Sequence, residues 1–191
     1  MNRKDLGKIS VIVSTYNRCD ALQVCLLSLF KQTVLPDEVI IGDDGSTEET
    51  ASLIARLQEQ APFPIIHVWH EDKGFRLAMM RNKCVARSTG NYIIEIDGDV
   101  FLHPKLIADH LREAGRGIYV KGGRVNLGKE LTEEICKSGM VRPIHVWTKG
   151  IESKPENAIH GWLASWLRDT VESVRLHWAV TCPSSVRILS R

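Results

Sequence analysis

"YIIEIDGDVFLHP", residues 92–104, decides how this chain is read. An apolar run, Tyr92 to Ile96, ends in Asp97 and Asp99, with only Gly98 between them. Pro104 follows, and it suits the first turn of a helix reading "PKLIADHLREA", where a missing N–H and a fixed φ cost nothing. Two like charges this close repel each other unless a cation sits between them, so a divalent metal is the economical explanation. Oxygen ligands favour Mg²⁺ or Mn²⁺ over zinc. D-x-D alone is a weak pattern, and its surroundings give it weight.

Working upstream, apolar strands alternate with helical stripes. "ISVIVS" (Ile9 to Ser14) is a β-branched run, and the segment after it repeats Leu22, Cys25, Leu26 and Leu29 at helical spacing. "EVIIGDDG" is a second buried strand. Ser46 and Glu49 then have the spacing of a capping box, opening a helix that turns Leu53, Ile54 and Leu57 inward. "FPIIHVWH" predicts a third strand, and "LAMMRNKCVARS" a third helix ended by Gly90. Short apolar strands separated by helices imply parallel pairing through right-handed crossovers. The predicted fold class is therefore α/β, a mostly parallel sheet with helices on both faces.

In such sheets the ligand site lies beyond the carboxyl ends of the strands. Those ends read "STYNR", "GDDGS", "WHEDKGFR" and "DGDVF": all polar, and three of them acidic. A purely structural sheet does not require that. Each end also has a plainer reading. Asp43 and Asp44 before Gly45 and Ser46 suit a turn into a helix cap. Tyr16 and Asn17 suit an ordinary loop, and Arg76 and Arg81 a solvated surface.

Composition limits the alternatives. The 191 residues are 43% hydrophobic, enough for one domain with a real core, and a net charge of +2 argues against bulk nucleic-acid binding. Five cysteines (19, 25, 84, 136 and 182) include no C-x-x-C pair and read as reduced thiols of a cytosolic protein. The N-terminal apolar run is too short for a signal peptide, and no run approaches the ~20 apolar residues of a membrane span. The expected location is the cytoplasm, with peripheral association at the inner face of the membrane left open.

The motifs in order, "SVIVSTYNR", "PDEVIIGDDGS", "EDKGFRLAMMRN" and "YIIEIDGD", resemble the signatures of family 2 glycosyltransferases with the GT-A (Rossmann-like) fold. Bacterial polysaccharide and chondroitin-polymerase-like enzymes are the nearest type. The resemblance covers about Ile9 to Asn126. It implies two regions: a nucleotide-sugar (donor) core over 1–126 and a partial or divergent acceptor-side region over 127–191. It also implies a nucleoside-diphosphate sugar donor, in general a UDP-hexose or UDP-hexosamine, and transfer with inversion to a saccharide or glycolipid acceptor. On this resemblance Ser14, Thr15 and Tyr16 border the nucleotide, and Asp44 fixes the base. Arg76 lies near base and phosphates, Asp97 holds the ribose or a metal-bound water, and Asp99 holds Mn²⁺ or Mg²⁺, the two aspartates forming the metal set.

Inverting transfer also needs a base for the acceptor hydroxyl. The family's G-W-x-x-E-D context is absent: Gly161 and Trp162 occur in "HGWLASWLRD" without paired acids. Glu130, Glu133, Glu134, Glu152, Glu156 and Asp169 are the available carboxylates, and weak transfer by the chain as given is the expectation. Trp162, Trp166 and Trp178 read as core or partner surface more readily than as an acceptor platform.

Rival classes fit less well. A D-x-D phosphatase carries its motif on the opening strand, a nucleotidyltransferase needs a glycine-rich N-terminal loop, and a dehydrogenase needs G-x-G-x-x-G where this chain has "STYNRCD". A non-catalytic nucleotide-sugar-binding remnant stays as the other reading.

Overall fold

A computed structural model describes residues 7–114, 120–139, 144 and 147–153, together with the backbone of strands 175–181 and 188–190. The chain runs β1 (Ile9–Thr15), α1 (Cys19–Phe30), β2 (Glu38–Asp43), α2 (Glu48–Gln58), β3 (Ile65–Trp69), α3 (Leu77–Arg87) and β4 (Tyr92–Asp97). It continues with β5 (Val100–Leu102), α4 (Leu106–Glu113), β6 (Lys121–Leu127), α5 (Lys129–Ser138), β7 (Ile151–Ser153), β8 (Arg175–Thr181) and β9 (Ile188–Ser190).

The main sheet has the order β3-β2-β1-β4-β9. Its first four strands are parallel, and β9 joins β4 antiparallel. This is the α/β architecture the sequence predicts. The strands read as continuous apolar runs because both faces are covered. Ile9, Val11 and Val13 point to the large core beneath α1, α2 and α4, while Ile12 points the other way. There Ile12 meets Ile40, Ile93, Met80 and Cys84 beneath α3. Gly42 on β2 permits that contact. A Cβ at this position would fall 2.7 Å from Cys84 Sγ and 2.9 Å from Met80 Cγ, inside any tolerable contact.

A second sheet, in the order β5-β8-β6-β7, forms after the D-x-D. Strand β8 runs antiparallel to β5 and parallel to β6, so part of the segment that matches no motif is strand. Val24 of α1, Phe101 of β5, Leu131 and Ile135 of α5, and Ile144 form a separate small core.

Three expected element ends shift. The N-cap of α2 is Thr47, not Ser46, and it makes no side-chain cap bond. Ser46 is engaged elsewhere. Its N–H donates to Asp43 Oδ1 at 2.7 Å, and its Oγ accepts the Asn17 N–H at 2.9 Å. The hydroxyl thus fastens the loop after β2 to the loop after β1. Helix α3 stops at Arg87 with Ser88 extended, before Gly90, whose N–H donates to Ser10 Oγ. Helix α4 begins at Leu106 with Lys105 as N-cap, so Pro104 sits just outside it. No described helix is long and apolar enough to cross a membrane. Cys19, Cys25, Cys84 and Cys136 are free thiols. Trp162, Trp166 and Cys182 lie outside the described residues, and for Trp178 only the backbone is described.

Candidate functional site

Strand order reverses between β1 and β4, the switch point at which open α/β sheets bind ligands. Register brings the motif residues together there. Ser14 lies opposite Gly42 on one side and Asp97 on the other, and Thr15 lies opposite Asp43. The Gly98 N–H donates to the Ser14 carbonyl at 2.7 Å, turning the chain so that Asp99 follows Asp97 along the same edge. A cleft of about 280 Å³ opens above these ends. Ser14, Thr15, Tyr16, Asp44, Asp97 and Asp99 all line it.

The first wall of the cleft is held by hydrogen bonds. Asp43 Oδ1 accepts the Ser46 N–H, and Asp43 Oδ2 lies 3.1 Å from His67 Nε2. Burial pushes the Asp43 carboxyl up, but the bonds from His67 and Ser46 outweigh it and hold the group below its ordinary value. Asp44 is equally occupied: Oδ1 lies 2.5 Å from His70 Nε2, and Oδ2 accepts the Arg76 N–H at 2.9 Å. Tyr16, half exposed at 49%, donates its hydroxyl to Asp72 Oδ2 at 2.8 Å. That bond raises the phenol's pKa and, with the Gly74 N–H, lowers that of Asp72. Gly45 permits the loop to close: its φ is +102°, and a Cβ there would meet Asp72 backbone at 2.6 Å.

The second wall is different. Arg81 Nη2 donates to Asp97 Oδ1 at 2.8 Å, and Arg81 Nε reaches Ser14 Oγ at 3.3 Å. Asp97 Oδ2 and Asp99 Oδ1 are buried without a hydrogen-bond partner, as is Thr15 Oγ1. Burial raises the Asp99 carboxyl, and the neighbouring Asp97 charge adds to this, while Arg18 and Arg124 oppose it. Cys25 lies beneath, and burial, then Asp99, push its thiol up as well.

These two orphaned carboxylate oxygens are what a hard divalent cation requires. Among the described residues no group of three or more His, Cys, Asp or Glu side chains could hold a metal unaided. The pair therefore fits a cation that takes its remaining ligands from a diphosphate and water, as Mg²⁺ commonly does.

Arg76, expected in the site, does not itself line the cleft. Its neighbours Phe75 and Leu77 line the cavity, and its N–H holds Asp44. Its guanidinium bonds to the Glu71 carbonyl through Nη2, while Nε is buried without a partner. The structure corrects the expectation for Arg81, which is not solvated surface but a largely buried partner of Asp97 and Ser14, two residues that line the cleft. It also adds His70, Asp72 and Lys83, which lie within "WHEDKGFR" and "LAMMRNKCVARS" but receive no role from the sequence pattern. A signal for Arg81 does exist. It follows Met80 on the helix face that packs against β2 and β1, so its long side chain can reach the strand ends.

Of the carboxylates weighed as catalytic base, Glu133 on α5 pairs with Lys129 and Lys137. Glu130 and Glu134 share that helix. Glu152 on β7 and Glu133 line a neighbouring groove of about 470 Å³, which shares Arg18 with the cleft. Glu156 and Asp169 lie outside the described residues.

Fold and site together define an α/β domain with an acidic cleft at the switch point of its sheet. Residues 10–169 match the family profile "Glycosyl transferase family 2", and the chain belongs to that family. Chondroitin synthase of Pasteurella multocida is 27% identical over 174 residues, covering 79% of this chain and 18% of that protein. Among solved structures, S. aureus TarS 1–349 in complex with UDP-GlcNAc superposes with a TM-score of 0.54 at 22% identity, over 64% of this chain and 36% of that one. The mannosyltransferase PcManGT of Pyrobaculum calidifontis, in complex with GDP-Man and Mn²⁺, gives 0.56 at 23%, over 64% and 37%. Both are GT-A glycosyltransferases, the fold expected here. The chain spans 18–28% of the length of the first curated relatives it matches.

Proposed function

We propose that residues 1–126 form the donor-binding core of an inverting glycosyltransferase that uses a UDP-hexose or UDP-hexosamine, with 127–191 on the acceptor side. The observation that carries this reading is the pair of buried, unpartnered oxygens, Asp97 Oδ2 and Asp99 Oδ1, facing one cleft with Asp44 and Tyr16. Asp97 and Asp99 would hold Mn²⁺ or Mg²⁺. Such an ion neutralises charge that grows on a departing diphosphate. Ser14, Thr15 and Tyr16 border the nucleotide, Asp44 fixes the base, and Arg76 lies near the base and phosphates.

The relatives support this. TarS 1–349 is solved with UDP-GlcNAc, PcManGT is solved with GDP-Man and Mn²⁺, and a chondroitin synthase aligns with 79% of this chain at low identity. The product class that follows is polysaccharide or glycolipid, made at the cytoplasmic face of the membrane. Family membership leaves the D-x-D phosphatase without support.

Calorimetric titration of UDP with and without Mn²⁺ tests the core of the proposal. Mn²⁺-dependent binding is expected, and UDP binding indifferent to Mn²⁺ and Mg²⁺ would remove the metal assignment. UDP release from UDP-hexoses, measured with and without saccharide acceptors, tests the acceptor side.

A further inference from the structure

Asp44 is not held by its own loop alone. His70, at the end of β3 and 7% exposed, places Nε2 2.5 Å from Asp44 Oδ1. The other ring nitrogen, Nδ1, lies 3.1 Å from Lys83 Nζ on α3. An ammonium group can only donate, so the contact assigns Nδ1 as acceptor and puts the ring proton on Nε2. The proton therefore points at Asp44, and the carboxylate stays an acceptor. The Arg76 N–H fixes the second oxygen from the other side.

We propose that His70, backed by Lys83, is a positioning residue for nucleobase selection: it pins Asp44 as a rigid acceptor at the base end of the cleft. This rests on the reading of Asp44 as the group that meets the base. The chemistry names a ligand class. A pinned carboxylate accepts from a ring N–H, which uracil carries at N3 and guanine at N1. Cytosine and adenine present a ring lone pair at the corresponding position, which the carboxylate repels. A carboxylate that swings freely can instead find an exocyclic amino group, so selectivity depends on its being held.

The test compares UDP, CDP and inorganic pyrophosphate binding, with Mn²⁺ present, in the full chain. Wild type should prefer UDP over CDP. His70→Ala should lower that preference about tenfold, the scale of one charge-assisted hydrogen bond, with pyrophosphate affinity unchanged. His70→Gln, whose amide can reach the Nε2 position, should recover most of the preference. In an Asp44→Asn background, His70→Ala should change the ratio no further, because the histidine acts through that carboxylate. A wild type that binds UDP no better than CDP and pyrophosphate overturns the reading of Asp44 and the proposal with it. A wild-type preference for UDP that survives in His70→Ala overturns the proposal alone. So does an equal loss of UDP, CDP and pyrophosphate, or a Gln variant no better than Ala.

Discussion

The two acidic walls of the cleft have similar composition and opposite condition. Asp43 and Asp44 have every carboxylate oxygen engaged by His67, Ser46, His70 or the Arg76 backbone. Asp97 has one oxygen held by Arg81 and the other unpartnered, and Asp99 Oδ1 has no partner. A buried carboxylate engaged at both oxygens stabilises the fold, because the bonds it accepts favour the ionised form, and each oxygen keeps a further lone pair that a ligand can meet. An unsaturated one works against the fold, because its charge is desolvated without compensation. Proteins retain such groups where a ligand completes them, which is why the proposed metal site is put on the second wall.

The sharpest way to break this contrast is Asp99→Ala. Mn²⁺-dependent UDP binding should fall roughly 10²-fold or more, with the circular dichroism spectrum unchanged. An unaltered metal requirement by titration calorimetry would put the cation elsewhere. Next in size is Asp43→Ala, which should lower unfolding free energy by about 2–3 kcal/mol in denaturant titration, since it strands His67 and the Ser46 N–H. The folded Asp43 pKa is lowered, so its contribution is present above the unfolded value, roughly 3.9, and is lost as pH falls through the folded value. The Asp43→Ala deficit should shrink on acidification over that window.

Asp44→Asn is the third step. It should weaken UDP about tenfold more than pyrophosphate, about 1.4 kcal/mol by competition titration, and equal losses would reduce Asp44 to a charge or a loop support. The smallest effect has the opposite sign. Without metal, Asp99→Asn should melt a few degrees higher than wild type at pH 7, as it removes a desolvated charge beside Asp97. The folded Asp99 pKa is raised, so its ionised form costs stability above that pKa, and the cost fades as pH falls towards the unfolded value. The melting gap should close with it. A variant that melts lower at pH 7 would mean that Asp99 is satisfied within the fold, and the contrast between the walls would fail.

Much of the sheet was legible because each strand carries its own evidence. "ISVIV", "EVII" and "YIIEI" are apolar over nearly their whole length, as strands buried on both faces must be. The cleft was legible at the ends of those strands: Ser14, Thr15, Tyr16, Asp44, Asp97 and Asp99 all line it. Helix ends were less legible. Ser46 has the capping-box spacing, yet its hydroxyl serves Asn17 across two loops, a competing bond that spacing cannot reveal.

The sequence by itself determined the order of the first four strands and the helices that follow them, the acidic strand ends and the presence of a D-x-D at a strand end. These follow from local pattern: side-chain polarity along the chain fixes which segments are buried and where each leaves the core. The tertiary structure decided which carboxylates are satisfied. Arg81 lies 16 residues from Asp97 and His70 lies 26 from Asp44. The first pairing depends on α3 crossing one face of the sheet, and the second on β3 lying beside β2. Hydrogen bonds are short and directional, so whether an acid is a structural anchor or an open ligand depends on ångström-scale placement of residues distant in sequence.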